Sequence, residues 1–270
     1  PPSILDSSGA VRLNDFPRLQ HNISNLTSTR QRSVFAETFA SMIESSLASS
    51  ETLGEVLQTV TMQSTRWTDT NGDGTVNSVD NNVPHRCTSL CESFEQIARV
   101  ISSREVLQEE RQVFYVEIGG FDTHSSAQER VQDRMEQINV ALTAFVDEMK
   151  IRGIWDQVAV LTSSDFARTM DSNGAGTDHA WGGNYFLLGG GVRGGTIHGE
   201  YPDSLLSTSS VHVGRGRLLP TTSWEAVWNG LADWFGVPSA SMTSVLPNAP
   251  NFPSNLLFTK EQLFNVTSSS

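Results

Sequence analysis

The stretch from Val113 to Gly195 constrains this chain most, because its apolar runs stop again and again at acidic and histidine residues. It opens with a run suited to a buried strand, Val113-Phe114-Tyr115-Val116-Glu117-Ile118, which ends in Gly119-Gly120-Phe121-Asp122-Thr123-His124. A 3.6-residue period follows: Val131, Met135, Ile138, Leu142, Phe145, Val146 and Met149 share one face. This predicts a helix from Gln128 to Lys150, closed by Arg152-Gly153. A second strand is expected over Val158–Thr162, ending in Ser163-Ser164-Asp165-Phe166-Ala167-Arg168. Thr177-Asp178-His179-Ala180 then leads through glycines into a third apolar run, Tyr185–Leu188. Strand, helix, strand is a βαβ unit and implies parallel pairing with a right-handed crossover. The expected fold class is therefore α/β, with a mostly parallel sheet flanked by helices. Its polar clusters would lie just past the strands' carboxyl ends, where such sheets bind ligands.

Around this feature the chain reads as scaffold. Val34, Phe35, Phe39, Met42, Ile43 and Leu47 make one apolar stripe. After a break at Ser49-Ser50, Leu53, Val56, Leu57 and Val60 make a second, shorter one. Leu90 to Leu107 reads as another helix, and Ser223 caps one over Trp224–Phe235 that Gly236 and Pro238 end. A main domain is expected over residues 30–247, between an N-terminal arm at 1–29 and a C-terminal tail at 248–270 that strays over the surface. The chain begins Pro1-Pro2-Ser3 without Met, as expected of a processed or truncated piece of a longer product.

With 18 Lys and Arg against 30 Asp and Glu, the formal net charge is -12, which argues against a nucleic-acid partner. No apolar run reaches membrane-spanning length. Asn-x-Ser/Thr sequons at Asn22, Asn25 and Asn265 are candidate glycosylation sites. Cys87 and Cys91, four residues apart, either bridge across a helix start or sit reduced in the core; an oxidising compartment favours the disulfide. Together these features point to a secreted or cell-surface protein.

The segment Asp69-Thr70-Asn71-Gly72-Asp73-Gly74-Thr75-Val76-Asn77-Ser78-Val79-Asp80 spaces its oxygens for a hard cation. Side-chain oxygens of Asp69, Asn71, Asp73, Asn77 and Asp80 fall at positions 1, 3, 5, 9 and 12. Thr75 offers its carbonyl, and Gly74 takes the sharp sixth position. Calcium is expected at residues 69–80. The loop resembles that of dockerin modules, whose last ligand is Asp, but only one copy is present. It is expected to staple an insertion at 67–86.

The polar cluster comprises Asp122, His124, Asp165, Asp178 and His179. Carboxylates and imidazoles together suit zinc, manganese or iron, and such an ion activates water or clamps a phosphoryl or sulfuryl oxygen. Arg168 beside them can hold an anion bidentately. GGFDTH, TSSDFAR, GTDHAWGG and GGGVRGGTIHGEYP, in that order, resemble the domain of unknown function 1501 family of exported proteins, grouped with the alkaline-phosphatase and sulfatase-like superfamily. That resemblance implies an alkaline-phosphatase-like fold, a doubly wound, mostly parallel α/β sheet flanked by helices and lacking the usual N-terminal first strand. Comparison with two-metal members implies one metal at Asp122, His124 and His179, a second at Asp165, and Asp178 beside them. TSSDFAR has Asp165 where the family more usually has Glu, and Ala167 where it has Gly. The resemblance also implies a first strand with a Gly-Gly-Asn-Asp-Gly-like segment and a nucleophile, which are not in this sequence. A partner is therefore expected: a missing N-terminal half, or like subunits.

Two functions are expected. The first is a metal-dependent hydrolase of phosphate or sulfate esters. The second is a non-catalytic, calcium-stabilised structural or assembly protein on the same fold.

Overall fold

The computed structural model describes residues 33–67 and 89–265, apart from the side chains of 46–51. It also describes residue 25 and the backbone of 5–6, 9–10, 75–77 and 84–86. Two compact units emerge: residues 1–118 with 136–152, and residues 119–135 with 153–270.

The first unit contains two short antiparallel hairpins, β1 (Leu5–Asp6) with β2 (Gly9–Ala10) and β3 (Thr75–Asn77) with β4 (Pro84–Arg86). Its helices are α1 (Val34–Thr59), α2 (Ser89–Ser102), α3 (Arg104–Leu107) and the 136–151 part of α4 (Ala127–Ile151). Helix α1 runs straight through Ser49-Ser50, where a break was expected. Serine in a helix interior costs only a few tenths of a kcal/mol, which neighbouring packing easily offsets. The C-terminal half of α1 buries Leu53 and Leu57 against Val100, with Leu107 and Phe114 over them. Val34, Phe35, Phe39 and Met42, expected to face inward, are exposed among the described residues. A second cluster joins Leu90 and Cys91 of α2 to Val140 and Ala141 of α4, with Phe94, Val116, Ile118 and Ile138 around it. Cys91 is disulfide-bonded, and Cys87 lies outside the described residues.

One charged side chain lies at the centre of this unit. Glu148 of α4 is fully buried. Its carboxylate accepts from the Gln63 and Ser64 backbone N–H groups, from Trp67 Nε1 and, at 2.6 Å, from Arg152 Nε. Burial alone pushes the carboxyl up, but the N–H donors of Ser64 and Gln63 and the Arg152 guanidinium outweigh it and hold it below the usual range.

The expected parallel sheet is not present among the described residues; the architecture is mixed helices with small antiparallel sheets. Residues 113–118 do alternate, with Val113, Tyr115 and Glu117 exposed and Phe114, Val116 and Ile118 half-buried, but they enter no ladder there. In the second unit β5 (Ala159–Leu161) pairs antiparallel with β8 (Leu187–Gly189), in register Val160 to Leu188. Between them β6 (Ala167–Ser172) and β7 (Thr177–Ala180) form a hairpin. No helix lies between β5 and β8; the intervening chain forms the β6–β7 hairpin in place of the helical crossover that usually joins parallel strands.

Helix α5 (Trp224–Phe235) begins at Ser223, whose hydroxyl accepts from Ala226 N–H, and ends at Gly236 in the left-handed region. The segment 248–265, expected to stray over the surface, is largely exposed but is anchored near its end. Leu263 and Phe264 are buried, Phe264 stacks on Trp234 with centroids 4.5 Å apart, and Asn265 N–H donates to Gly191 O at 2.8 Å. No described helix is long and apolar enough to cross a membrane.

Candidate metal centre

The site lies wholly in the second unit, on one loop and one hairpin. The hairpin comes first, because it holds the loop. In the β6–β7 turn Asn173 Oδ1 accepts from Ala175 N–H and Gly176 N–H, at 2.9 and 2.7 Å. This is the local side chain-to-backbone bonding for which asparagine is favoured in turns. The same residue's Nδ2 donates to His124 O, and Thr177 N–H donates to Thr123 O at 3.2 Å, so the loop lies directly against the turn. Only glycine fits at position 176: a Cβ there would sit 2.3 Å from Thr123 O. Thr123 is buried between two exposed neighbours, and Asp122 and His124 therefore both project outward.

On the hairpin, Arg168 and His179 are register partners and so share a face. His179 Nε2 lies 2.7 Å from Asp122 Oδ1, and His124 Nε2 lies 2.8 Å from the same oxygen. Arg168 Nη1 donates to that oxygen as well, at 3.0 Å. The rest of the guanidinium is anchored elsewhere: Nε donates to Thr177 Oγ1 at 2.9 Å, and Nη2 to Thr177 O. The His179 hydrogen bond, then that from Arg168, holds the Asp122 carboxyl below its usual range.

The imidazoles are themselves stacked. The His124 and His179 rings lie 5.3 Å apart, and Phe166 covers the His179 ring at 4.3 Å, tilted by only 7°. The Arg168 guanidinium in turn lies 5.7 Å from the Phe166 ring centre. Phe166 thus limits the rotation of His179, the side chain that must aim at Asp122.

Asp122, His124 and His179 are all exposed and offer ligand atoms within 4.8 Å of one another, so the group can hold a metal ion. Two imidazoles and one carboxylate make a donor set suited to zinc or to non-haem iron, with positions left open for water or substrate. Of the other residues singled out in the sequence, Arg168 joins the group. Asp165 is exposed on the bend before β6 and lies outside it. Asp178 also lies outside: its Oδ1 accepts from His179 N–H at 2.9 Å and its Oδ2 from Arg215 Nη2 at 3.3 Å. The His179 N–H, aided by the charge of Arg215, keeps this carboxyl low despite some desolvation.

Arg215, Phe166 and Asn173 were not found by reading the sequence. For Arg215 a signal existed. It stands at φ 53° between Gly214 and Gly216, both also left-handed, and this brings it to Asp178. A residue with a Cβ flanked by glycines in a tight turn marks a position where the side chain, and not only the turn, is wanted.

Of the calcium-loop residues, Asp69, Asn71, Asp73 and Asp80 lie outside the described residues; Thr75 and Asn77 fall at the two ends of β3. Among the sequons, Asn25 and Asn265 are exposed and Asn22 lies outside the described residues.

These features define a protein of helices and small antiparallel hairpins that carries an exposed two-imidazole, one-carboxylate group able to hold a metal. The chain belongs to the family described as protein of unknown function DUF1501, which matches residues 9–214 and so takes in the whole group and Arg168. No curated protein and no solved structure matches the chain.

Proposed function

We propose that this protein is a secreted or cell-surface, metal-dependent hydrolase of phosphate or sulfate esters. The observation that carries the reading is the convergence of His124 Nε2 and His179 Nε2 on Asp122 Oδ1, with an arginine beside them. A divalent ion bound there would supply Lewis-acid polarisation of the ester and a more acidic water. Asp122 contributes one negative charge, so with a divalent ion and Arg168 the site is left net positive. Such a site suits an anionic ester and disfavours a neutral one. Arg168, fixed through Thr177, orients the anionic oxygens; the open face admits substrate and water. Zinc, manganese and iron all suit the donor set.

The alkaline-phosphatase-like fold belongs to this proposal. In support, residues 113–118 show the alternating burial of a strand and enter no ladder among the described residues. A dockerin-like calcium loop at Asp69, Asn71, Asp73, Thr75, Asn77 and Asp80 is likewise proposed, on its spacing. The exposed Asn25 and Asn265 support an exported, glycosylated protein. Asp165 as a ligand to a second metal would require it to turn toward the group.

The test is elemental analysis of the natively purified protein beside Asp122→Asn, followed by hydrolysis of aryl phosphates and aryl sulfates. Zinc, manganese or iron bound by the wild type, lost in Asp122→Asn together with ester hydrolysis, is the expected result. Calcium as the sole metal, with no hydrolysis, would overturn the reading in favour of a calcium-stabilised structural or assembly protein.

A further inference from the structure

The arginine in this site rests on a carboxylate oxygen that a metal would need. Three donors converge on Asp122 Oδ1: His179 Nε2 at 2.7 Å, His124 Nε2 at 2.8 Å and Arg168 Nη1 at 3.0 Å. Ligand atoms bonded tetrahedrally to one zinc at about 2.0–2.2 Å stand about 3.3–3.6 Å from one another. The His–Asp contacts need to lengthen by less than about 1 Å to admit an ion at that spacing, and Oδ1, on which both imidazoles converge, is the oxygen it would take. It is the same oxygen on which Arg168 rests. A cation and a guanidinium repel each other, and both compete for this oxygen's lone pairs.

The rest of Arg168 does not depend on that contact. Nε and Nη2 are held by Thr177, a residue of β7 two positions before His179. If Nη1 is released from Asp122, the side chain therefore stays at the rim of the site with Nη1 free. A guanidinium fork with one free edge beside a metal is a receptor for a tetrahedral oxyanion, which binds one oxygen at the ion and another at the arginine.

The geometry points to an exchange: metal entry displaces Arg168 Nη1 from Asp122 and turns it toward the anionic group of the substrate, so that metal and oxyanion strengthen each other's binding. The inference rests on the metal reading above and adds the order and coupling of binding. On entry of the ion each imidazole presents its Nε2 lone pair, so a neutral ring that carried its proton on Nε2 carries it on Nδ1 instead, by exchange with solvent; the hydrogen bonds to Asp122 Oδ1 are replaced and no covalent bond between heavy atoms changes. In the metal-free protein Arg168 neutralises Asp122 and preserves the loop. In the loaded protein it serves the anion. By linkage, the factor by which the metal raises anion affinity equals that by which the anion raises metal affinity.

Zinc affinity is to be measured by competition with a chromogenic chelator on chelator-stripped protein. Sodium sulfate is added or replaced by chloride at constant ionic strength, for the wild type and Arg168→Gln. For the wild type, sulfate is expected to tighten zinc binding by about tenfold, within the usual range of such couplings. Without sulfate, Arg168→Gln is expected to bind zinc more tightly than the wild type, because its competitor is gone; with sulfate it shows no further gain. Weaker or unchanged zinc binding by Arg168→Gln in chloride, or a full sulfate effect in it, overturns the exchange. A wild type that binds zinc without responding to sulfate overturns this inference alone. A wild type that binds no metal overturns the function proposed above along with it. Nitrogen NMR of the arginine side chains in the wild type needs no variant: the Arg168 Nη resonances are expected to move on zinc addition, and unmoved resonances refute the release.

Discussion

The substitution Glu148→Gln tests how a buried carboxylate supports the first unit. Glu148 is fully buried, and its two oxygens receive Gln63 N–H, Ser64 N–H, Trp67 Nε1–H and Arg152 Nε–H. Glutamine keeps the volume and one carbonyl oxygen, which suffices for Ser64 and Trp67. Its amide NH2 then faces either Arg152 or the backbone donors, setting donor against donor. A hydrogen bond to a charged group contributes about 1.5–3 kcal/mol, and stranding a buried partner adds to the loss. The sum is about 3 kcal/mol, roughly a hundredfold in the folded-to-unfolded ratio. With a denaturant slope of about 2–3 kcal/mol per molar urea, the midpoint falls by about 1–1.5 M.

The effect has a pH signature. The folded carboxyl of Glu148 is held below its unfolded value, so the folded state binds fewer protons at this group. Its contribution is present above the unfolded pKa of about 4.5 and is lost as pH falls through the lower folded value. Once protonated, Glu148 resembles glutamine, and the two proteins should converge. The assay is urea unfolding followed by tryptophan fluorescence, for which Trp67 is a reporter in direct contact, repeated from neutral to acidic pH. Glu148→Gln within about 0.5 kcal/mol of the wild type at neutral pH, the scatter expected of an ordinary surface change, would refute the argument. A gap that widens on acidification would refute it too.

Three further outcomes are expected. Phe166→Leu removes the ring stacked on His179 and should weaken zinc binding by about tenfold, the lower end for loss of a group that orients a ligand, whereas Phe166→Tyr should retain it; equal affinities by chelator competition would count against the stacking. Gly176→Ala places a methyl 2.3 Å from Thr123 O and 2.5 Å from the His124 carbonyl carbon, so it should move the Asp122–His124 loop and depress zinc affinity more than it lowers Tm. Calcium should raise the Tm of the wild type and leave that of Asp73→Ala unchanged; an equal rise in both would remove the calcium loop as the cause.

What the sequence revealed of this protein follows what is local in it. The helix predicted over Gln128–Lys150 is found at Ala127–Ile151, and that over Trp224–Phe235 is found with its Ser223 and Gly236 caps. Both depend on a 3.6-residue period and on end groups within one turn. Of the expected strands, Val158–Thr162 contains β5 and Tyr185–Leu188 overlaps β8, but they pair antiparallel, and Val113–Ile118 enters no ladder; the intervening β6–β7 hairpin was read as loop. Its alternation is hidden because Arg168, Thr169, Asp178 and His179 are polar on both faces. The exposed run at the start of α1 failed for a similar reason: a stripe shows which residues share a face, not whether another segment covers it.

The candidate site shows the same division. Residue type singled out Asp122, His124, Asp165, Asp178 and His179 together, and it was the family resemblance that set Asp122, His124 and His179 apart as ligands of one metal. Residue type could not separate them from Asp165, which lies three residues before Arg168 and yet remains outside the group. Membership was decided by the strand register that pairs Arg168 with His179 and by the two contacts that press the Thr123–His124 backbone onto the hairpin turn. The alignment of the site is thus set by Asn173, Gly176 and Phe166, none of which can bind a metal well. A variant at any of these three should change metal affinity while leaving all three ligands in place. A change confined to Asp165 should not.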